Sequence, residues 1–265
     1  MRNRLLIFLS LLLLVPSLSA QDMENGNQEE LMVDGRCSGG NLYVLNPSAG
    51  DGFSVQRVTL NGKEYPFTQN SNAFEISLAD YSSNDYVVVQ ISYLKGSEPK
   101  VVNAESLIKE SEFSLPSFIY NKKTKLIAWN PKEMNADYSY RLEQFLYGKW
   151  ITVKDLGSPD DMIADTYLPV LLTGMNLFRI KQKDPSGGEL SSPVVKLKSP
   201  NRKVLLVADK VKDFIEFTAV THYELYDANG FFIKRGTAQK VNVSDLKKGN
   251  YWINFDGKEA FITKK

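Results

Sequence analysis

The chain of 265 residues holds one histidine and one cysteine, so the side chains most used for proton transfer and nucleophilic attack are each present once. His222 lies in Val220-Thr221-His222-Tyr223, and Cys37 lies in Gly35-Arg36-Cys37-Ser38-Gly39-Gly40. A serine–histidine triad or a zinc site of histidine and cysteine ligands needs several such residues to converge, and this inventory assembles neither. His222 therefore reads as a polar residue on a strand face. Cys37, without an intramolecular partner, reads either as a small buried hydrophobe at a strand start or as a thiol able to pair between chains. Gly39-Gly40 and Gly187-Gly188 lack the spacing of a phosphate loop. Asp155, Asp160, Asp161 and Asp165 offer oxygens of the kind calcium takes, but without the spacing of a calcium loop, so they read as a solvated acidic stretch. Paired acids for glycoside hydrolysis stay open in the sequence, but a small sandwich offers little cleft for them. Tyr147 and Trp150 flank a hairpin tip, where they could stack on a sugar or a peptide or simply pack across strands. The inventory predicts no catalytic residue, no metal ligand and no cofactor, hence no enzyme.

The elements that would carry these side chains begin after a leader. Arg2 and Arg4 precede the apolar run Leu5 to Val15, and Leu18-Ser19-Ala20 supplies small residues at a cleavage point. That is the pattern of a secretory signal peptide over 1–20. The run is too short for a spanning helix, which needs about 20 residues, and no later segment could cross a bilayer as a helix. Removing Arg2 and Arg4 from 32 basic residues leaves 30 against 31 acidic ones. These are scattered, which argues against nucleic acid as a partner. Residues 21–30 (QDMENGNQEE) are polar and aperiodic and read as a disordered spacer.

From Leu31 the pattern turns to strands. Ser54 to Leu60 alternates and meets Asn61-Gly62, a hairpin signal because both residues tolerate positive φ. Ala73 to Leu78 sends Phe74, Ile76 and Leu78 to one face, and Tyr86 to Tyr93 is β-branched and aromatic. This is a β domain over 31–107, followed by a connector over Ser106 to Glu112. A second domain over 113–198 has strands at 125–129, 138–145, 149–153, 176–182 and 194–197, with turns at Tyr147-Gly148-Lys149 and Asp184 to Gly188. A third, over 200–265, has strands at 204–208, 214–218, 223–226, 231–234, 240–243, 250–255 and 259–262. The fold class is all-β, with tandem immunoglobulin-like or fibronectin-like sandwiches.

Two resemblances attach to these blocks. Trp129, Tyr140 to Gln144, Gly148-Lys149-Trp150 and Gly174 to Asp184 resemble the fibronectin type III-like modules of exported Bacteroidetes proteins, with Trp129 as the core tryptophan. The last block resembles the C-terminal sorting domain of type IX (Por) secretion cargo. The residues that carry this likeness are Tyr226-Asp227 with Gly230, Val241 and Val243, Ser244 with Leu246, Gly249, Tyr251, and Lys264-Lys265. It implies the type IX machinery as partner, placement at the cell surface, outer membrane or outside the cell, and a lipopolysaccharide anchor or envelope protein as a further partner. The first functional reading is an exported, non-catalytic envelope protein, one form of which is a component or signalling partner of the secretion system; the other is a secreted carbohydrate- or protein-binding adhesin, with a hydrolase third.

Overall fold

In the computed structural model, residues 27–83, 85–109, 112–162, 165–199 and 204–265 are described. The leader 1–20, most of the spacer and the opening Pro200-Asn201-Arg202 of the third block lie outside them.

The first module runs through β1 (Gln28–Cys37), β2 (Leu42–Leu45), β3 (Ser48–Ala49), β4 (Gly52–Phe53), β5 (Val55–Leu60), β6 (Lys63–Glu64), β7 (Ala73–Ile76), β8 (Tyr86–Leu94), β9 (Lys100–Val101) and β10 (Leu107–Ile108). One sheet has the order β10-β1-β8-β5-β6 and the other β7-β2-β9. Their inward residues, Val58, Val87, Val89 and Ile91 from one and Leu42, Val44, Phe74 and Ile76 from the other, form a single buried cluster. The alternation Phe74, Ile76, Leu78 thus lines the core as its period of two requires. Three expectations need correction. Gln28 to Glu30 belong to β1, paired with Tyr93 and its neighbours, and not to a disordered spacer. Leu107-Ile108 is the closing edge strand of this sheet instead of connector. Cys37 is buried at the end of β1, not the start of a strand.

The second module comprises β11 (Ile119–Asn121), β12 (Leu126–Ala128), β13 (Ser139–Leu146), β14 (Lys149–Gly157), β15 (Thr166–Tyr167), β16 (Gly174–Lys183), β17 (Glu189–Ser191) and β18 (Val195–Ser199). A sheet β11-β12-β15 faces the sheet β14-β13-β16-β17, with β18 also on β16. Ile127 and Trp129 from the first meet Tyr140, Leu142, Phe178 and Ile180 from the second. At the β13–β14 turn Tyr147 and Gly148 take φ of 52° and 80°, as Asn61 and Gly62 take 51° and 82° in the first module. Two left-handed residues in succession fit the twist of a two-residue hairpin.

The third module holds β19 (Lys210–Val211), β20 (Phe214–Asp227), β21 (Phe232–Asn242), β22 (Gly249–Phe255) and β23 (Lys258–Lys264), in the sheet order β19-β23-β22-β20-β21. The separate strands expected at 214–218 and 223–226 are one strand, and so are those at 231–234 and 240–243. A register shift between Glu216 and Thr221 sets the first part of β20 against the end of β21, while the second part pairs with β21 and with β22. Residues 204–208 make a single bridge, Leu206 to Phe217, in place of a strand. Ile215, Phe217, Leu225, Val241, Ile253, Phe255 and Ile262 form a core that shares no residue with the other two. Phe217 and Phe255 stack with centroids 4.9 Å apart.

Candidate functional site: the C-terminal module and its dock

The residues singled out in the tail first build local structure. Tyr226 is the last residue of β20 paired with β21 and donates through its hydroxyl to Glu224 Oε2 at 2.5 Å. Burial and this carboxylate push its phenol above the usual tyrosine range. Asp227 Oδ1 accepts from the backbone N–H of Asn229 and Phe231, both at 2.9 Å. The carboxylate thereby takes two backbone donors inside the β20–β21 connection, a role suited to a short acceptor side chain. Gly230, at φ 84°, completes that reversal. Ser244 donates to Asn242 Oδ1 at 2.7 Å, and Leu246 lies against the tail core. Gly249 opens β22 at φ 151°. Tyr251 is buried with its hydroxyl donating to Lys247 O at 2.7 Å, which ties the Ser244–Gly249 turn to the sheet. Lys264 is almost covered, since β23 has a strand on each side, while Lys265 is exposed.

These residues do not converge on one point. They hold two turns and the ends of a sheet, an arrangement with shape to be recognised and no reacting group. His222 does not lie on an open strand face: it is buried, with Nε2 3.0 Å from Val170 O and Nδ1 2.7 Å from Thr237 Oγ1. Burial lowers its pKa below the ordinary histidine value, partly offset by the Val170 carbonyl. Trp150 and Tyr147 form no open platform. Trp150 packs against Phe145 and Tyr86, each with centroids 5.3 Å away, under the Arg179 guanidinium at 4.1 Å. Tyr147 directs its hydroxyl to His222 O at 2.5 Å. The acidic stretch is used locally: Asp155 caps Gly157 N–H and Asp161 accepts from Ser158. Among the described residues no group of three or more histidine, cysteine or acidic side chains is gathered as metal ligands.

Sequence reasoning missed the residues that join the tail to the rest. Asp256, in the turn between β22 and β23, is buried and accepts from Thr173 N at 2.6 Å, Thr173 Oγ1 at 2.8 Å and Val204 N at 3.1 Å. Glu224, also buried, pairs with Lys149 Nζ at 3.0 Å. Lys63, just past the Asn61-Gly62 tip, lies 3.7 Å from Glu259. Only the three-dimensional partners, many residues away, give these acids a role. Sequence showed Asp256-Gly257 as a turn and nothing more.

On the same face as Glu224, a row of aromatic side chains crosses four strands. Phe232, Tyr226, Trp252 and Phe261 are successive lateral neighbours. Trp252 meets Phe261 edge-on with centroids 4.9 Å apart, and Phe232, Trp252 and Phe261 keep about a third to a half of their surface in solvent.

Comparison with known families decides what such a tail is like. Residues 207–265 match the secretion system C-terminal sorting domain. The likeness to type IX cargo is borne out for this stretch, and a sorting tail of that kind implies dealings with the type IX machinery and export to the cell surface or the extracellular space. The match begins at Val207, past the boundary at 200 drawn from sequence. No curated protein matches the chain. Among solved structures, the FN1–FN3 domains of chicken CNTN1 align over 89% of this chain and 95% of that one at 10% identity, with a TM-score of 0.22. BcpA, the major pilin subunit of Bacillus cereus, aligns over 89% and 67% at 12% identity and a TM-score of 0.16. Dimeric latent PorU from Porphyromonas gingivalis aligns over 89% and 31% at 10% identity, also at 0.16. The sandwich architecture rests on the sheets and cores of this chain. Among the described residues no helix is long and apolar enough to cross a membrane.

Proposed function

We propose that this chain is a non-catalytic cell-envelope or surface protein in which two sandwich modules are the payload and the sorting domain is the export address. The observation that carries the reading is that the matched stretch has a hydrophobic core of its own. A tail folded around its own core can be read by a transporter whatever precedes it. The payload's candidate chemistry supports a binding or structural role: the lone histidine is spent on a backbone carbonyl and a threonine, and the lone cysteine is buried. A leader over 1–20 would take the chain across the inner membrane, and the sorting domain would then take it across the outer one. A lipopolysaccharide anchor in exchange for the tail belongs to the same proposal.

Cell fractionation with and without residues 200–265 tests it. The truncated protein should accumulate in the periplasm, folded and protease-resistant, while the full chain reaches the surface or medium. Surface delivery of the truncated protein would sink the proposal. So would truncated payload that is unfolded, because the tail would then complete a core rather than address one.

A further inference from the structure

We infer that the C-terminal module carries a second recognition surface, separate from its sorting turns, whose partner is the payload of its own chain. The contacts fall into three points. The Asp256 carboxylate takes both the backbone N–H and the hydroxyl of Thr173. His222 takes part twice, its Nε2 meeting Val170 O and its own carbonyl accepting from the Tyr147 hydroxyl. Glu224 receives Lys149. A fourth, weaker contact brings the first module in: Asn61 of its hairpin tip lies beside Gly148, and the neighbouring Lys63 reaches toward Glu259. Two tips of the same form, each with lysine directly after the turn glycine, thus meet two acids of one sheet face.

Three arguments make this a recognition surface rather than chance proximity. First, Asp256, Glu224 and His222 are nearly inaccessible, and buried charges persist only when paired or hydrogen-bonded. Each keeps one partner inside the tail (Val204 N–H for Asp256, Tyr226 for Glu224, Thr237 for His222) and has another across the junction, so a tail standing apart would lose half of this pairing. Second, the contacts are directional: a carboxylate accepting from N–H and O–H of one threonine fixes orientation as well as distance. Third, none of the tail residues used is among Tyr226, Asp227, Gly230, Ser244, Leu246, Gly249, Tyr251, Lys264 or Lys265. Docking therefore leaves the sorting turns and the aromatic row uncovered. The surface fits a hairpin tip of the form x-Gly-Lys beside a loop that offers a threonine. The exposed Lys63–Glu259 pair adds little, as surface ion pairs do; Asp256 carries most of the specificity.

The inference stands apart from the export reading, and its test is made in vitro on the full-length mature chain. A specific protease site is placed between Ser199 and Val204, the chain is cut, and the two pieces are run on a sizing column and titrated against each other. The pieces should stay together after cleavage. Thr173→Val, on the payload side where it cannot disturb folding of the tail, and Asp256→Asn, which keeps a side chain tolerant of that turn, should each weaken reassociation at least tenfold. Wild-type pieces that separate at once would overturn the inference. Variants that reassociate like wild type would overturn it equally, whatever the export assay shows.

Discussion

Replacing Ile253 by alanine tests whether the tail is an autonomous unit. Ile253 has no solvent exposure and sits among Leu225, Phe255 and Ile262 in a core made only of tail residues. Isoleucine-to-alanine changes at such sites cost about 2–5 kcal/mol, from lost transfer free energy and the cavity left behind. At about 3 kcal/mol the folded-to-unfolded ratio of the tail falls roughly a hundredfold, since each 1.4 kcal/mol is tenfold. That is a large share of what a small domain possesses. Differential scanning calorimetry of the mature chain should resolve a tail transition that moves down by ~10 °C or more, at ~4–8 °C per kcal/mol for a domain this size. The payload transition should move by much less, shifting only through the lost dock. The same variant in cells should export poorly while its payload stays folded. If both transitions fell together by the same amount, the tail would not be an independent folding unit, and the reasoning from separate cores would fail.

Two further outcomes follow from buried polar groups. Glu143 is buried between Arg179, 2.8 Å away and itself nearly inaccessible, and Arg141, also at 2.8 Å. Glu143→Ala takes the carboxylate from the nearly inaccessible Arg179 guanidinium that lies over Trp150, and urea denaturation should show a loss of about 3–5 kcal/mol in the second module; a loss below ~1 kcal/mol would refute the importance of the pairing. His222 is held neutral by burial, with its folded pKa below the ordinary 6.5. The unfolded chain then binds the proton more readily, so stability from this group is present above about pH 6.5 and lost as pH falls through 6.5 toward the lower folded value. Melting temperatures of tail and dock should therefore decline on the acid side of 6.5, and His222→Gln should flatten that slope. An unchanged slope in the variant would assign the pH dependence elsewhere.

What sequence revealed and what it hid divide along physical lines. The strand at 73–76 stands out because burial on one face imposes alternation, whereas 86–93 and 176–182, covered on both faces over much of their length, stand out as β-branched, aromatic and apolar runs. The hairpins at Asn61-Gly62 and Tyr147-Gly148 stand out because few residue pairs accept two left-handed conformations in a row. Two-residue strands such as 48–49, 107–108, 166–167 and 210–211 leave no period to detect. The long strand 214–227 reads as two because Thr218 to Val220, at its register shift, do not continue the pairing of either half. The tail's turns were legible from Asp227, Gly230 and Gly249, whose demands are local. Asp256, Glu224 and His222 were not, because their meaning depends on Thr173, Lys149 and Val170, contributed by another module. A carboxylate in a turn looks alike in sequence whether it faces water or a buried threonine.

The three tryptophans are distributed unevenly: Trp129 is buried in the middle module, Trp150 lies where that module meets the first, and Trp252 keeps about a third of its surface in solvent beside Phe261. The chain therefore comes with its own optical labels. Emission from Trp252 should be red-shifted relative to the two inner indoles, so a pair of tryptophan-to-phenylalanine changes at 129 and 150 would leave a single fluorophore reporting on the tail alone, free of any attached dye.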